Sequence, residues 1–186
     1  MASAVADDRE LQLKIDEYGN MLYKISYLRL QNVQDAEDVV QEVFYQYLKH
    51  TQAFESPEHE KAWLIKVTLN TCRKLWRSAK RHPREELDHA LGQVMEMPMT
   101  SETAAQTSLS EPEEAAVRQE ERRRILNAVM ALPARYRDVI HLFYYEEISV
   151  KEIARITGRG ESTVTSQLTR GRGLLKKMLK EEYDFG

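Results

Sequence analysis

Apolar residues recur at helical spacing almost throughout this chain, and no segment alternates for long enough to make a strand. Ile15, Tyr18, Leu22, Ile25 and Leu28 or Arg29 trace one face of a helix predicted from about Leu11 to Arg29. A second helix is predicted to start at Asp35, a good N-cap residue, with Val39, Val40, Val43, Phe44 and Tyr47 on its packed side. A third helical stretch, KAWLIKVTLNTCRKLWRSAKRHPR, runs from Lys61 to Arg84. The pattern then dissolves into EELDHALGQVMEMPMTSETAAQTSLSEP, rich in Met, Ser, Thr and Glu, which reads as a linker. Periodicity resumes at Glu113, stops at Pro133, restarts in ARYRDVIHLFYYEE, and ends in two short helical patterns around a glycine turn between Ile148 and Leu179. The predicted fold is all-α. Two small helical domains, residues 1–84 and 113–186, are joined by a flexible linker, 85–112, and the second domain contains a helix-turn-helix.

That last segment carries dense local signals. Ser149 can cap a helix, Glu152 completes a capping box, and Ile148 with Ile153 can form a hydrophobic staple. Gly158 stands where a left-handed C-cap is wanted, and Gly160 is an acceptable N-cap for the next helix. There Val164, Leu168, Gly171 and Leu175 share one stripe at about 100° per residue. The opposite face presents Ser166, Thr169, Arg170, Gly173 and Lys177, with Ser162 and Thr163 in the first turn. Hydroxyls and cations free of bulky hydrophobes suit phosphates and base edges in a major groove. An amphipathic helix pair with a solvated basic face is the plainer alternative.

Two further patches carry chemistry. The helix at Asp35 has an acidic side, with Glu37 and Asp38 favouring the positive end of its dipole and Gln41, Glu42 and Tyr45 continuing the face. It fits either a solvated surface or a basic protein partner, and repels DNA. The stretch from Lys61 to Arg84 contains no acidic residue, and its cations lie among Trp63 and Trp76. Phosphate attraction beside flat aromatic surfaces is the chemistry of single-stranded nucleic-acid binding, although Trp63, inside AWLIKV, also reads as a partly buried anchor.

Composition narrows the classes. With 186 residues, 42% hydrophobic, the chain suits one medium domain or two small ones. A net charge of −3 excludes a uniformly basic coat, so DNA affinity must come from local patches. The one cysteine, Cys72, excludes an internal disulfide and a cysteine-cluster zinc site, and fits a reducing cytoplasm. No apolar run approaches a membrane span, and MASAVADDRE lacks signal-peptide regions, so a soluble cytoplasmic protein with no direct membrane insertion is expected.

Together the three patches resemble one family, the extracytoplasmic-function sigma factors, promoter-recognition subunits of bacterial RNA polymerase; the resemblance covers about residues 11–84 and 113–180. DAEDVVQEVF, Asp35 to Phe44, is similar to the family's DAEDLVQEVF signature. That resemblance implies that Asp35, Glu37, Asp38, Gln41 and Glu42 bind core RNA polymerase. The segment from Phe54 to Asn70, with Lys61-Ala62-Trp63-Leu64 and Thr68-Leu69-Asn70, is similar to the part that melts the minus-10 element. It implies DNA contacts from Lys61, Trp63, Lys66, Asn70, Arg73, Lys74 and Arg77, with the loop from Phe54 to Lys61 and Asn70 holding an extruded base. Leu132 to Ile140, Tyr144-Tyr145 and Ile148 to Ala154 resemble the domain that binds minus-35 duplex, implying contacts from Ser162, Thr163, Ser166, Thr169, Arg170 and Lys177.

The family also implies promoter DNA and an anti-sigma factor as partners, and a linker running through polymerase channels. No cofactor, metal or catalytic residue is expected. The chain departs from the family at Arg159, where an apolar turn residue is common, and at Thr165 and Gln167, which replace frequent cations. Gly171 and Gly173 each weaken the last helix by roughly 1 kcal/mol relative to alanine. The alternative function is a helix-turn-helix regulator that does not bind core polymerase, which leaves the acidic helix and the tryptophan-bearing basic stretch without a use. Nothing pairs carboxylates, cradles phosphate or builds a metalloprotease motif around His59-Glu60, so an enzyme is not expected.

Overall fold

The computed structural model describes residues 2–81 and 112–183. The predicted linker, apart from Pro112, lies outside them. Among the described residues there are seven α-helices and no strand: α1 Ala2–Leu30, α2 Val33–Leu48, α3 Pro57–Arg81, α4 Pro112–Ala131, α5 Ala134–Tyr144, α6 Val150–Thr157 and α7 Glu161–Tyr183. No helix among these residues is long and apolar enough to cross a membrane.

Two predicted boundaries are corrected. Asn32, not Asp35, caps α2: its side chain accepts from the Asp35 N–H at 2.9 Å, which moves Asp35 into the first turn. α3 begins at Pro57, ahead of Lys61, because proline is pre-set for a first turn and Ser56 Oγ accepts from the His59 N–H at 3.2 Å.

α1 and α3 are each buried on two sides. One side, with Tyr18, Leu22, Leu64 and Cys72, meets Val39, Val43 and Phe44 of α2. The other, with Ile25, Leu28, Ile65 and Leu69, continues into a cluster with Leu132, Val139, Leu142, Ile153, Val164 and Leu168. One apolar cluster therefore runs through both halves. α1 packs on α5 and α3 on α6.

Glu60 sits at the join of α1, α2 and α3, only 6% exposed. Its carboxylate accepts from Lys14 Nζ (2.7 Å), the Tyr47 hydroxyl (2.5 Å) and the Tyr18 hydroxyl (3.3 Å). Burial pushes its pKa up, but Lys14 and the two hydroxyls outweigh that, leaving it below the ordinary 4.5. A carboxyl depressed by folding contributes stability above its unfolded value and loses it as pH falls through the folded one. The N-terminal half is thus expected to weaken in urea titrations as pH drops below about 4.5. Glu60→Gln should flatten that slope; an unchanged slope would assign the acid sensitivity elsewhere.

In the C-terminal half α5 is the central element, with every residue from Tyr136 to Leu142 buried. Arg137 among them donates to the Leu132 carbonyl (3.2 and 2.7 Å) and to the Leu28 carbonyl of α1. α7 crosses α5 at Gly171, where an added Cβ would lie 3.0 Å from Ile140 Cγ1, whereas at Gly173 it would meet nothing within 4 Å. The two glycines therefore part company. Gly173→Ala should raise the unfolding free energy by about 1 kcal/mol through helix propensity alone. Gly171→Ala should forfeit that gain against Ile140, and the opposite ranking in urea midpoints would contradict the crossing.

Candidate partner and nucleic-acid surfaces

The packed side of α2 turns its acidic side to solvent. Glu37, Asp38, Gln41, Glu42 and Tyr45 are exposed and Asp35 is half-buried. Asp38 accepts from Gln34 at 3.1 Å and Glu42 from Gln46 at 2.8 Å. Asp38, Gln41, Glu42 and Tyr45 line a shallow open hollow.

On α3, Trp63, Lys66, Asn70, Arg73, Lys74 and Arg77 fall within a sector of about 100° opposite the buried side, as 3.6-residue periodicity requires. Lys66, Asn70, Lys74 and Arg77 are exposed, and Asn70 Oδ1 accepts from Arg73 at 3.0 Å. Trp63 is half-buried in an aromatic group with His50 (ring centroids 4.7 Å), Phe54 (5.6 Å) and Tyr47 (6.3 Å). His50 in this group was not foreseen. It joins through the irregular loop after α2, where helical spacing gives no guidance. Trp76, by contrast, is 54% exposed.

Lys61 is turned away from this face. It lies on the buried side of α3 and reaches the α5–α6 loop, donating to the Glu146 carbonyl (3.2 Å) and pairing with its carboxylate (3.6 Å). The same carboxylate lies 3.3 Å from His141 Nε2, off the line of a hydrogen bond. Burial pushes the Glu146 pKa up, but His141 and Lys61 outweigh that, leaving it below 4.5.

In the helix-turn-helix, Ser149 caps α6, accepting from the Glu152 N–H at 3.2 Å, and Gly158 closes it at φ 67°. The capping box is completed differently from expectation: the Glu152 carboxylate accepts from Arg155 at 2.7 Å. Val164, Leu168 and Gly171 are buried and Leu175 half-buried, so Ser162, Thr163, Ser166, Thr169, Arg170 and Lys177 face outward. Thr169 Oγ1 donates to the Thr165 carbonyl at 3.0 Å.

Arg159 is not a free turn cation. Its Nη1 donates to Gln167 Oε1 at 3.0 Å, and its Nη2 lies 3.9 Å from Asp138 Oδ2, the oxygen that takes Arg29 from α1. Burial pushes the Asp138 carboxyl up against the pull of both arginines. Arg137, Asp138 and His141 were missed as buried polar residues, because RYRDVIHLF reads as amphipathic unless a second helical layer is known to cover its polar side. No cluster of His, Cys, Asp and Glu among the described residues could hold a metal.

Residues 15–82 match the family model described as Sigma-70 region 2, and residues 122–175 the one described as Sigma-70, region 4. The chain is 32% identical over 167 residues to the ECF RNA polymerase sigma factor SigW of Bacillus subtilis, covering 90% of this chain and 87% of the relative. It is 27% identical over 170 residues to RNA polymerase sigma factor SigV of the same organism, covering 90% of each. Its fold is similar to that of the sigma factor RpoE in complex with the anti-sigma factor NepR from Bartonella quintana, with a TM-score of 0.64, 20% identity and coverage of 92% and 98%. It is also similar to CnrH in complex with the cytosolic domain of CnrY, with a TM-score of 0.59, 21% identity and coverage of 94% and 90%.

Proposed function

Because this chain belongs to the ECF sigma factors of the sigma-70 family, we propose that it binds core RNA polymerase through the acidic face of α2, recognises minus-35 duplex with α7, and melts the minus-10 element against α3. The observation that carries this reading is the sorting of charge: one acidic and two basic-polar faces occupy separate helices of one scaffold. An acidic face attracts a basic protein groove and repels phosphate, while cations beside an aromatic group offer an unstacked base both a platform and backbone contacts. The proposed division by sequence is residues 1–84 for polymerase and minus-10 contacts, 85–112 as connector, and 113–186 for minus-35 contacts. The protein supplies binding energy and no covalent step. The two solved neighbours are complexes with an anti-sigma factor and with CnrY, and an anti-sigma protein is the partner we assign to this chain as well.

This function requires the halves to separate. Elements named for positions about 25 base pairs apart are roughly 85 Å apart along B-DNA, whereas a compact chain of 186 residues has a radius of gyration of about 16 Å and is roughly 40 Å across. Halves packed through α1–α5 and α3–α6 cannot hold both elements. Dyes on cysteines introduced at exposed Gln52 and Lys176 should move apart when core polymerase and promoter are added. Cys72, fully buried with its thiol pushed up to about 11 by burial, will not compete for label. An unchanged dye distance in a transcribing complex would rule out separation. The function itself is tested by mixing the chain with core polymerase: co-elution and promoter-dependent transcripts are expected. Tight duplex binding without core binding would favour a simple regulator.

A further inference from the structure

The contact between the halves ends at a single oxygen atom with two claimants. Asp138 Oδ2 takes the Arg29 guanidinium of α1, and Arg159 Nη2 waits 3.9 Å away, outside hydrogen-bond range. The other arm of Arg159 holds Gln167 Oε1 at 3.0 Å, on the half-buried flank of α7 between its buried stripe and its outward face. Asp138 is 8% exposed and Arg29 and Arg159 have side chains only 18% and 23% exposed, so water does not readily replace a departing partner. We propose that Asp138 is a relay between closure of the halves and the reading head: when Arg29 leaves, Arg159 takes over Asp138 Oδ2 and releases the Gln167 carboxamide, which then reads an adenine.

The steps follow from distance and charge. A buried carboxylate that loses one guanidinium recruits the next, because an unpaired charge there is strongly disfavoured. Arg159 needs to move its Nη2 by only about 1 Å to come within bonding range, and because the guanidinium is a rigid planar fork Nη1 shifts with it, which disturbs the bond to Gln167. A released carboxamide presents an acceptor and a donor side by side, the pattern that pairs with N6 and N7 of adenine in a major groove. In the closed chain Arg159 occupies that acceptor. Gln167 is therefore a masked specificity residue, and Arg159 and Asp138 are positioning residues.

The inference rests on the reading of α7 as a duplex binder, and two measurements separate the failure of one from the failure of the other. The first needs no DNA. In urea unfolding of the full chain, Gln167→Ala should lower the midpoint in the parent, where it breaks the bond to Arg159, and leave it nearly unmoved beside Arg29→Gln, where the bond is already released. Equal shifts in both backgrounds overturn the relay. Should Arg29→Gln not fold, Arg29→Lys, which keeps the charge and loses the fork, replaces it. The second uses a random-sequence duplex pool selected on the full chain. Arg29→Gln should enrich adenine at one position about fivefold over the parent, and the enrichment should vanish in Arg29→Gln with Gln167→Ala. Identical pools from those two variants overturn the unmasking. If no form enriches any duplex, the α7 reading falls, while the urea cycle still decides the relay.

Discussion

Asp38→Arg is expected to abolish binding to core RNA polymerase while leaving the affinity of α7 for duplex DNA unchanged. Asp38 is exposed on α2 and accepts from Gln34, its neighbour one turn back. Its replacement should shift folding stability by no more than about 0.5 kcal/mol. At a charge-complementary interface, placing like charges together costs several kcal/mol, so the dissociation constant should weaken by about 100-fold or more. Glu42→Arg, on the same face, should behave alike. Fluorescence titration with core polymerase and duplex titration of the same variant are the paired measurements. Equal loss in both would refute the division of labour, and unchanged core binding would remove the α2 face from the function.

Arg137→Met should produce the largest loss of stability of any single polar replacement in the chain, about 3 kcal/mol or more, because two buried carbonyls lose their donor at once. Those carbonyls belong to Leu132, at the α4–α5 turn, and to Leu28, near the end of α1. One guanidinium therefore stitches the C-terminal half to itself and to the N-terminal half. The methionine fills most of the volume without supplying any N–H, which separates the hydrogen bonds from packing. Against a typical total of 5–15 kcal/mol, such a loss should move the urea midpoint far outside error. Arg137→Lys should recover little, since an ammonium cannot fork to both carbonyls. A shift within about 0.5 kcal/mol would mean that water satisfies the carbonyls.

Much of the architecture was legible because helical periodicity is a local property. Val164, Leu168, Gly171 and Leu175 lie on the buried stripe of α7, Ser149 and Gly158 bound α6, and the acidic side of α2 faces solvent, all as spacing required. The misplaced cap at Asp35 is a local error of small consequence: Asn32 is as good an N-cap, and the choice between two competent residues depends on where α1 ends, at Leu30, just before Gln31 with φ 54°. Lys61 was grouped with the basic face of α3 by charge, yet its angular position puts it on the side that meets Glu146.

What the order of residues determined by itself was the helical class, the three charged and polar faces, and through the DAEDVVQEVF and helix-turn-helix motifs the family. Each of these depends on neighbours within a few turns of one helix. The tertiary structure alone decided that α1 and α3 are buried on both sides, that Arg137 and Glu60 are interior hubs, and that Arg159 answers to Asp138 and Gln167. Those facts join residues as much as 109 positions apart, as Arg29 and Asp138 are. Contacts of that separation depend on how whole helices pack, and a periodicity that marks which face of a helix is buried carries no information about which distant charge will meet it there.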